Sequence, residues 1–316
     1  MKKWITLFLL VALVALSACG TDESNGSASE GGEGEGESSS ESSEMRTYET
    51  ENGEEIEVPA NPERIVVLSS YAGNVLKLDG NLVGVDSWSK MNPNFESELE
   101  GVEEVTADNL EKIIELDPDL IVGLASTENV DQLKEIAPTV TYTYGQLGYL
   151  EQHVEIGKLL GKEEEAQQWV DDFKADAQET GEKIKEKIGE DATVTVIENF
   201  EKELYVFGDN WARGTEILYQ EMGLNMPEKV KEMALEPGFY AISPEVLPEY
   251  AGDYIVFSKN SDTDTSFEQT ETYQSIPAVE NGNVFEADAK KFYFNDAISL
   301  EYQLEFFKEK FLGESE

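Results

Sequence analysis

A two-lobed α/β protein, with a long helix joining the lobes, is the fold class that this 316-residue chain predicts, and three observations carry it. Short apolar strands alternate with helical periods from residue 46 onward. A run of helical character follows from Tyr149 to about Ile188, interrupted only near Gly161-Lys162. The strand signal then returns and continues to the C-terminal region. Strands of this kind separated by helices imply parallel sheets covered on both faces. The helical run is longer than an ordinary crossover connection, so it reads as a backbone helix between two α/β lobes. Strand ends then face a shared cleft, where such sheets bind ligands.

The elements follow in order. Met1-Lys2-Lys3 opens a basic stretch, and the apolar run Trp4 to Leu16 is shorter than the roughly 20 residues that a membrane-spanning helix needs. Small residues follow, so residues 1–18 read as a signal peptide. Residues 19–45 are almost wholly Gly, Ser and Glu, a composition that cannot bury a core and reads as a flexible spacer. The N-terminal lobe is assigned to 46–160. It begins with a hairpin over Arg46 to Pro59 that turns at Asn52-Gly53, followed by strands at Arg64 to Leu68, Leu82 to Val85, Leu120 to Leu124 and Thr139 to Tyr142. Helical periods lie around Ala72 to Leu78, Asn109 to Leu116 and Val130 to Ile136. The connecting helix is assigned to 161–189, with Ala166, Val170 and Phe173 on its apolar stripe. The C-terminal lobe, 190–316, carries strands at Thr193 to Ile197, Leu204 to Phe207, Tyr254 to Phe257 and Asn283 to Glu286, and helices near Thr215 to Met222 and Ala297 to Phe311.

Composition excludes several functions. The formal charge of −44 rules out nucleic acid as a partner. A single cysteine, Cys19, leaves no disulfide, and one histidine, His153, argues against a metal-capturing site. His153 lies within a helical stretch and reads as a surface or helix-packing residue. There is no Gly-x-Ser-x-Gly elbow, phosphate loop or His-Glu-x-x-His motif. No catalytic residue, metal ligand set or resident cofactor is therefore assigned, and binding is expected in place of catalysis.

Leu16-Ser17-Ala18-Cys19 resembles the lipobox of bacterial lipoproteins. That resemblance implies lipidation of Cys19 and a domain tethered to the extracytoplasmic face of a Gram-positive-type cell membrane. Pro62-Glu63-Arg64-Ile65-Val66-Val67-Leu68, Asn109 to Ile114 with Pro118 to Val122, and Ala137-Pro138-Thr139-Val140 look like phrases of the helix-linked substrate-binding proteins of iron-siderophore and cobalamin importers. A narrower match, Leu204-Tyr205-Val206-Phe207-Gly208-Asp209-Asn210-Trp211-Ala212-Arg213-Gly214, is similar to the ferric-hydroxamate-binding lipoproteins of Gram-positive bacteria.

The resemblance implies a monomer that binds a ferric siderophore, in which the siderophore itself holds the iron, and delivers it to the permease of an ABC transporter. It places Tyr144 at the cleft from the first lobe and Tyr205, Trp211 and Arg213 from the second. Tyr293 stands where close relatives carry a tryptophan, and Trp88 lies where a loop can rim the cleft. The resemblance also implies that Glu111 and Glu245, each near a helix start, pair with permease arginines. The chemistry of the residues agrees. Aromatic rings offer flat surface with polar edges, and a guanidinium donates several hydrogen bonds to hydroxamate oxygens. Arg213 has a second reading, a structural pair with Asp209 or Glu216. A catecholate siderophore or haem as ligand, and a structural or adhesive lipoprotein, stand as alternatives. The scarcity of basic residues favours neutral or cationic hydroxamate complexes over anionic catecholates.

Overall fold

The computed structural model describes residues 44–50, 52–200 and 203–314. The signal peptide, Cys19 and nearly all of the spacer lie outside the described residues. A two-stranded antiparallel hairpin comes first, β1 (Met45–Glu49) and β2 (Glu55–Pro59), with Gly53 at a positive φ of 77° in the turn. The first lobe is a five-stranded sheet of β3 (Ile65–Val67), β4 (Leu82–Val85), β5 (Glu103–Glu104), β6 (Leu120–Leu124) and β7 (Thr139–Tyr142), in the order β5-β4-β3-β6-β7. Every pairing in it is parallel. Residues of alternate parity feed two separate cores. Ile65, Val67, Leu120 and Val122 face one side, while Val66 and Ile121 join Ile113 and Leu133 on the other. Burial on both faces is why these strands read as unbroken apolar runs.

The second lobe holds β8 (Val194–Phe200), β9 (Glu203–Phe207), β10 (Phe239–Ile242), β11 (Tyr254–Lys259) and β12 (Val284–Asp288), in the order β10-β9-β8-β11-β12. It is mixed: β8, β11 and β12 run parallel, whereas β9 pairs antiparallel with β8 and β10. β5 and β10 are additions to the sequence reading. One is only two residues long, and the other is exposed at three of its four positions, so neither shows an apolar run.

Between the lobes in the chain come the helices Tyr149–Leu160 and Glu163–Ile188. Gly161, at a φ of 73°, ends the first, which is the break seen in the sequence. Three glutamates in the first turn of the longer helix and Lys185 and Lys187 in its last turn complement its dipole.

The lobes also meet through the C-terminal helix Ala297–Phe307, which packs back on the first lobe. Asn74 Oδ1 accepts a hydrogen bond from the Ala297 backbone at 3.1 Å, and Asn92 Nδ2 donates to Ser299 Oγ at 3.0 Å. Gly73 is required here, because a Cβ would stand 1.8 Å from Asp296 Oδ1. His153 is buried, as a helix-packing residue should be, with Nδ1 3.0 Å from Asn74 Oδ1 and its ring 4.7 Å from that of Trp169.

Asp296 caps the C-terminal helix through the Ser299 backbone and hydroxyl, yet burial pushes its carboxyl up to about 6. The folded state therefore favours the protonated acid. This contribution is full below about pH 4 and is lost as the pH rises through about 6. The shift is worth about 3 kcal/mol. Asp296→Asn keeps the cap without the charge. In urea unfolding, the stability of wild type minus that of Asp296→Asn should therefore rise by about that amount on going from pH 7 to pH 4. A difference independent of pH would contradict it.

Candidate functional site

Apart from Tyr205, which lies within a strand, the ring and guanidinium residues singled out from the sequence follow strand ends. Tyr144 follows β7, and Trp88 lies on the short helix Ser87–Met91 after β4. From the second lobe, Tyr205 is on β9, Trp211 and Arg213 are on the loop that follows it, and Tyr293 ends the turn after β12. Trp88, Tyr144, Phe200, Trp211 and Phe239 are each at least 36% exposed, although large apolar rings are ordinarily covered. They form a strip. Tyr144 meets Trp211 edge-on at 6.4 Å, Trp211 packs on Phe239 at 5.1 Å, and Phe239 packs on Tyr205 at 5.8 Å. At the other end Trp88 stacks on Tyr293 at 5.4 Å and 16°, and Phe200 meets Tyr293 edge-on. The strip lies mainly on the second lobe and is touched by the first at both ends.

Arg213 joins the two halves. Its guanidinium carbon lies 5.1 Å from the centre of the Phe207 ring and 4.8 Å from that of Tyr293. Nε and Nη2 donate to the two carboxylate oxygens of Glu198 at 3.1 and 3.0 Å, and Nη1 donates to the Trp211 carbonyl at 3.3 Å. Of the five N–H groups of an arginine, three are thus engaged and two remain, one on each Nη. Neither Asp209 nor Glu216, the partners considered from sequence, holds it. The fold brings up Glu198 because β8 and β9 pair with Glu198 opposite Tyr205. Ser258 Oγ on β11 donates to Glu198 at 2.7 Å and fixes the carboxylate further.

The loop itself is constrained. Ala212 and Arg213 both have positive φ, 54° and 60°, a conformation unfavourable for L residues. Three contacts hold it: the Ala212 amide donates to Glu216 Oε1 at 2.9 Å, Thr215 Oγ1 donates to the Ala212 carbonyl at 2.7 Å, and the Arg213 amide donates to the Phe292 carbonyl at 2.7 Å. Gly238 lets the Trp211 ring lie against the backbone, since a Cβ there would come within 2.8 Å of it. Burial pushes the Glu216 carboxyl up, opposed by the Ala212 amide, Thr215 and Asn295. Burial raises Tyr144 too, with Glu216 adding to it, and pushes Tyr293 up to about 12, with Glu198 adding to it. Both phenols therefore remain neutral donors.

Glu198, Phe207, Phe239 and Phe200 are the residues that sequence reasoning missed. The alternation along β9 was the available signal for Phe207, because Tyr205 and Phe207 share a parity. Tyr71, which follows β3 in the chain, is buried and meets Tyr142 edge-on. Glu111 and Glu245 are both exposed, in the first turns of the helical segments Leu110–Glu115 and Pro244–Glu249. The Ser243 side chain holds the Glu245 carboxyl below its ordinary range. Among the described residues, no group of three or more His, Cys, Asp or Glu is placed to hold a metal ion.

This geometry has close counterparts. The chain is 37% identical to the iron(3+)-hydroxamate-binding protein FhuD of Bacillus subtilis, over 98% of this chain and 97% of the relative. It is also 37% identical to the iron(3+)-hydroxamate-binding protein YxeB of the same organism, over 100% and 99%. The structure of FhuD2 from Staphylococcus aureus with bound ferrioxamine B matches with a TM-score of 0.75 at 33% identity, covering 80% of this chain and 99% of that one. The family model described as periplasmic binding protein matches residues 65–291. With two lobes, a connecting helix and full-length relatives of this kind, the chain belongs to the periplasmic binding protein family.

Proposed function

We propose that this protein binds ferric hydroxamate siderophores outside the cell membrane and delivers them to an ABC permease for iron import. The observation that carries this reading is the strip from Tyr144 to Tyr293, with Arg213 clamped at its centre. A ferric hydroxamate is apolar outside and presents partly negative oxygens around the iron. The exposed rings offer it flat surface, and the two spare N–H groups of Arg213 offer it donors. Iron is cargo held by the siderophore, and the protein contributes no metal ligand. Because Glu198 already neutralises Arg213 and Glu216 adds a second buried carboxylate, the site favours neutral or cationic complexes over an anionic catecholate. The two Bacillus subtilis relatives are hydroxamate-binding proteins, which supports the same class.

In this reading Cys19 carries the lipid anchor, and Glu111 and Glu245 pair with arginines of the permease. Packing of the C-terminal helix on the first lobe, together with the connecting helix, favours small lobe movements over wide closure. The test is uptake of radiolabelled ferric hydroxamate by cells that depend on this protein. Glu111→Ala with Glu245→Ala should abolish uptake and leave ligand affinity within roughly two-fold, because both acids are exposed and solvent screens such charges. Normal uptake by the double variant would overturn the docking role, and uptake independent of the protein would overturn the function.

A further inference from the structure

The chain carries 67 Asp and Glu against 23 Lys and Arg, and the spacer at residues 19–45 holds only eight of those acids. The excess of negative charge therefore lies mainly on the lobes. Charge of this size sets up potentials of several kT over a protein surface, and these raise the local concentration of solutes of the opposite sign. A neutral solute gains nothing from them.

The aromatic strip does not reverse that sign. Arg213 is the cation at its centre, and Glu198 matches it through two hydrogen bonds. Lys259 on β11 is matched by Glu268 and Glu286, and Lys290, ahead of Tyr293 in the chain, by Asp262. Glu216 differs. It is 2% exposed and accepts from the Ala212 amide, Thr215 Oγ1 and Asn295 Nδ2, with no cation at ion-pair distance among the described residues. The phenols at the two ends of the strip report a negative surrounding. Burial is the main cause that raises Tyr144, and Glu216 then raises it by more than Arg213 lowers it. Burial likewise raises Tyr293, where Glu198 outweighs Arg213.

We propose that the negative field of the lobes steers cationic ferric hydroxamates to the strip, so that a chelate with a free ammonium is captured faster than a neutral chelate of the same shape. The inference rests on the hydroxamate reading above and deepens it, because it selects among hydroxamates by charge. Such attraction acts before contact, and no carboxylate has to touch the ligand. It raises the association rate and weakens as salt shortens the Debye length, from about 30 Å at about 10 mM to about 8 Å at physiological ionic strength. Contacts with the rings and Arg213 form after encounter and are common to both chelates. Selection by charge is therefore strongest in dilute surroundings and fades in salty ones.

The experiment is stopped-flow quenching of tryptophan fluorescence by ferrioxamine B, which carries a free ammonium, and by its N-acetyl derivative, which keeps the iron centre and the chain but has no charge. Both arms use the wild-type protein, so any effect of salt on the fold is shared by the two chelates. Between about 10 mM and about 500 mM sodium chloride, the association rate constant of ferrioxamine B should fall roughly ten-fold, the low end of the range for steered association. That of the acetylated chelate should stay within about two-fold. Equal salt dependence of the two association rates, or none for either, would overturn steering. A difference confined to the dissociation rates would place a carboxylate in contact with the ammonium and overturn it as well. If neither chelate binds at any salt concentration, the hydroxamate reading itself fails, and the inference with it.

Discussion

Replacing Glu198 with alanine is expected to lower stability by about 3–5 kcal/mol, the usual loss when one partner of a buried ion pair is removed. Glu198 is 1% exposed and grips Arg213 with both oxygens, at 3.0 and 3.1 Å. Without it the guanidinium keeps its positive charge between the Phe207 and Tyr293 rings, with the Trp211 carbonyl as its remaining polar partner among the described residues. The freed side chain can then leave its present orientation beside the strip, so affinity should fall together with stability. Glu198→Gln retains one acceptor oxygen and the shape, and should lose less of both. Urea unfolding alongside ligand titration checks this. Wild-type stability in the alanine variant would mean that Arg213 is not held by this pair.

Trp211→Ala should lower siderophore affinity roughly 30- to 1,000-fold, corresponding to the loss of about 2–4 kcal/mol that an aromatic hot spot carries. Its ring is 37% exposed, packs on Phe239 and meets Tyr144 from the opposite lobe, so a ligand would cover it from the open side. Stability should change by less than about 1 kcal/mol, because little of the core depends on this ring. The split between a large binding effect and a small folding effect distinguishes a ligand contact from a packing residue. A severe loss of stability with unaltered affinity would assign Trp211 to the core.

The sequence made the architecture legible because buried parallel strands leave unbroken apolar runs. Val66 and Ile121 face one core while Val67 and Val122 face the other, so no polar position interrupts them. The break at Gly161 was equally clear, since a glycine with positive φ is the ordinary end of a helix. β10 was hidden, because Phe239, Tyr240 and Ala241 stay exposed and follow Pro237-Gly238.

At the site, Trp211 and Arg213 stood out through their Gly-Asp-Asn setting. Glu198 did not, for two physical reasons. In a chain with 67 acidic residues, one more glutamate carries no signal, and its partner lies fifteen positions away, reached only through the β8 and β9 pairing. Asp209 and Glu216 were nearer in sequence, but Glu216 is occupied in shaping the loop through the Ala212 amide and Asn295.

The most direct test of the whole account is tryptophan fluorescence of the purified protein, titrated with ferrichrome, ferrioxamine B, a ferric catecholate and haem. The rings of Trp88 and Trp211 lie on the proposed binding strip, so a bound iron chelate should quench them. The account predicts saturable quenching by the two hydroxamates at micromolar or lower concentrations, about 8 kcal/mol of binding or more, and much weaker responses to the other two. Silence across the hydroxamates, or tighter binding of the catecholate or haem, would contradict it.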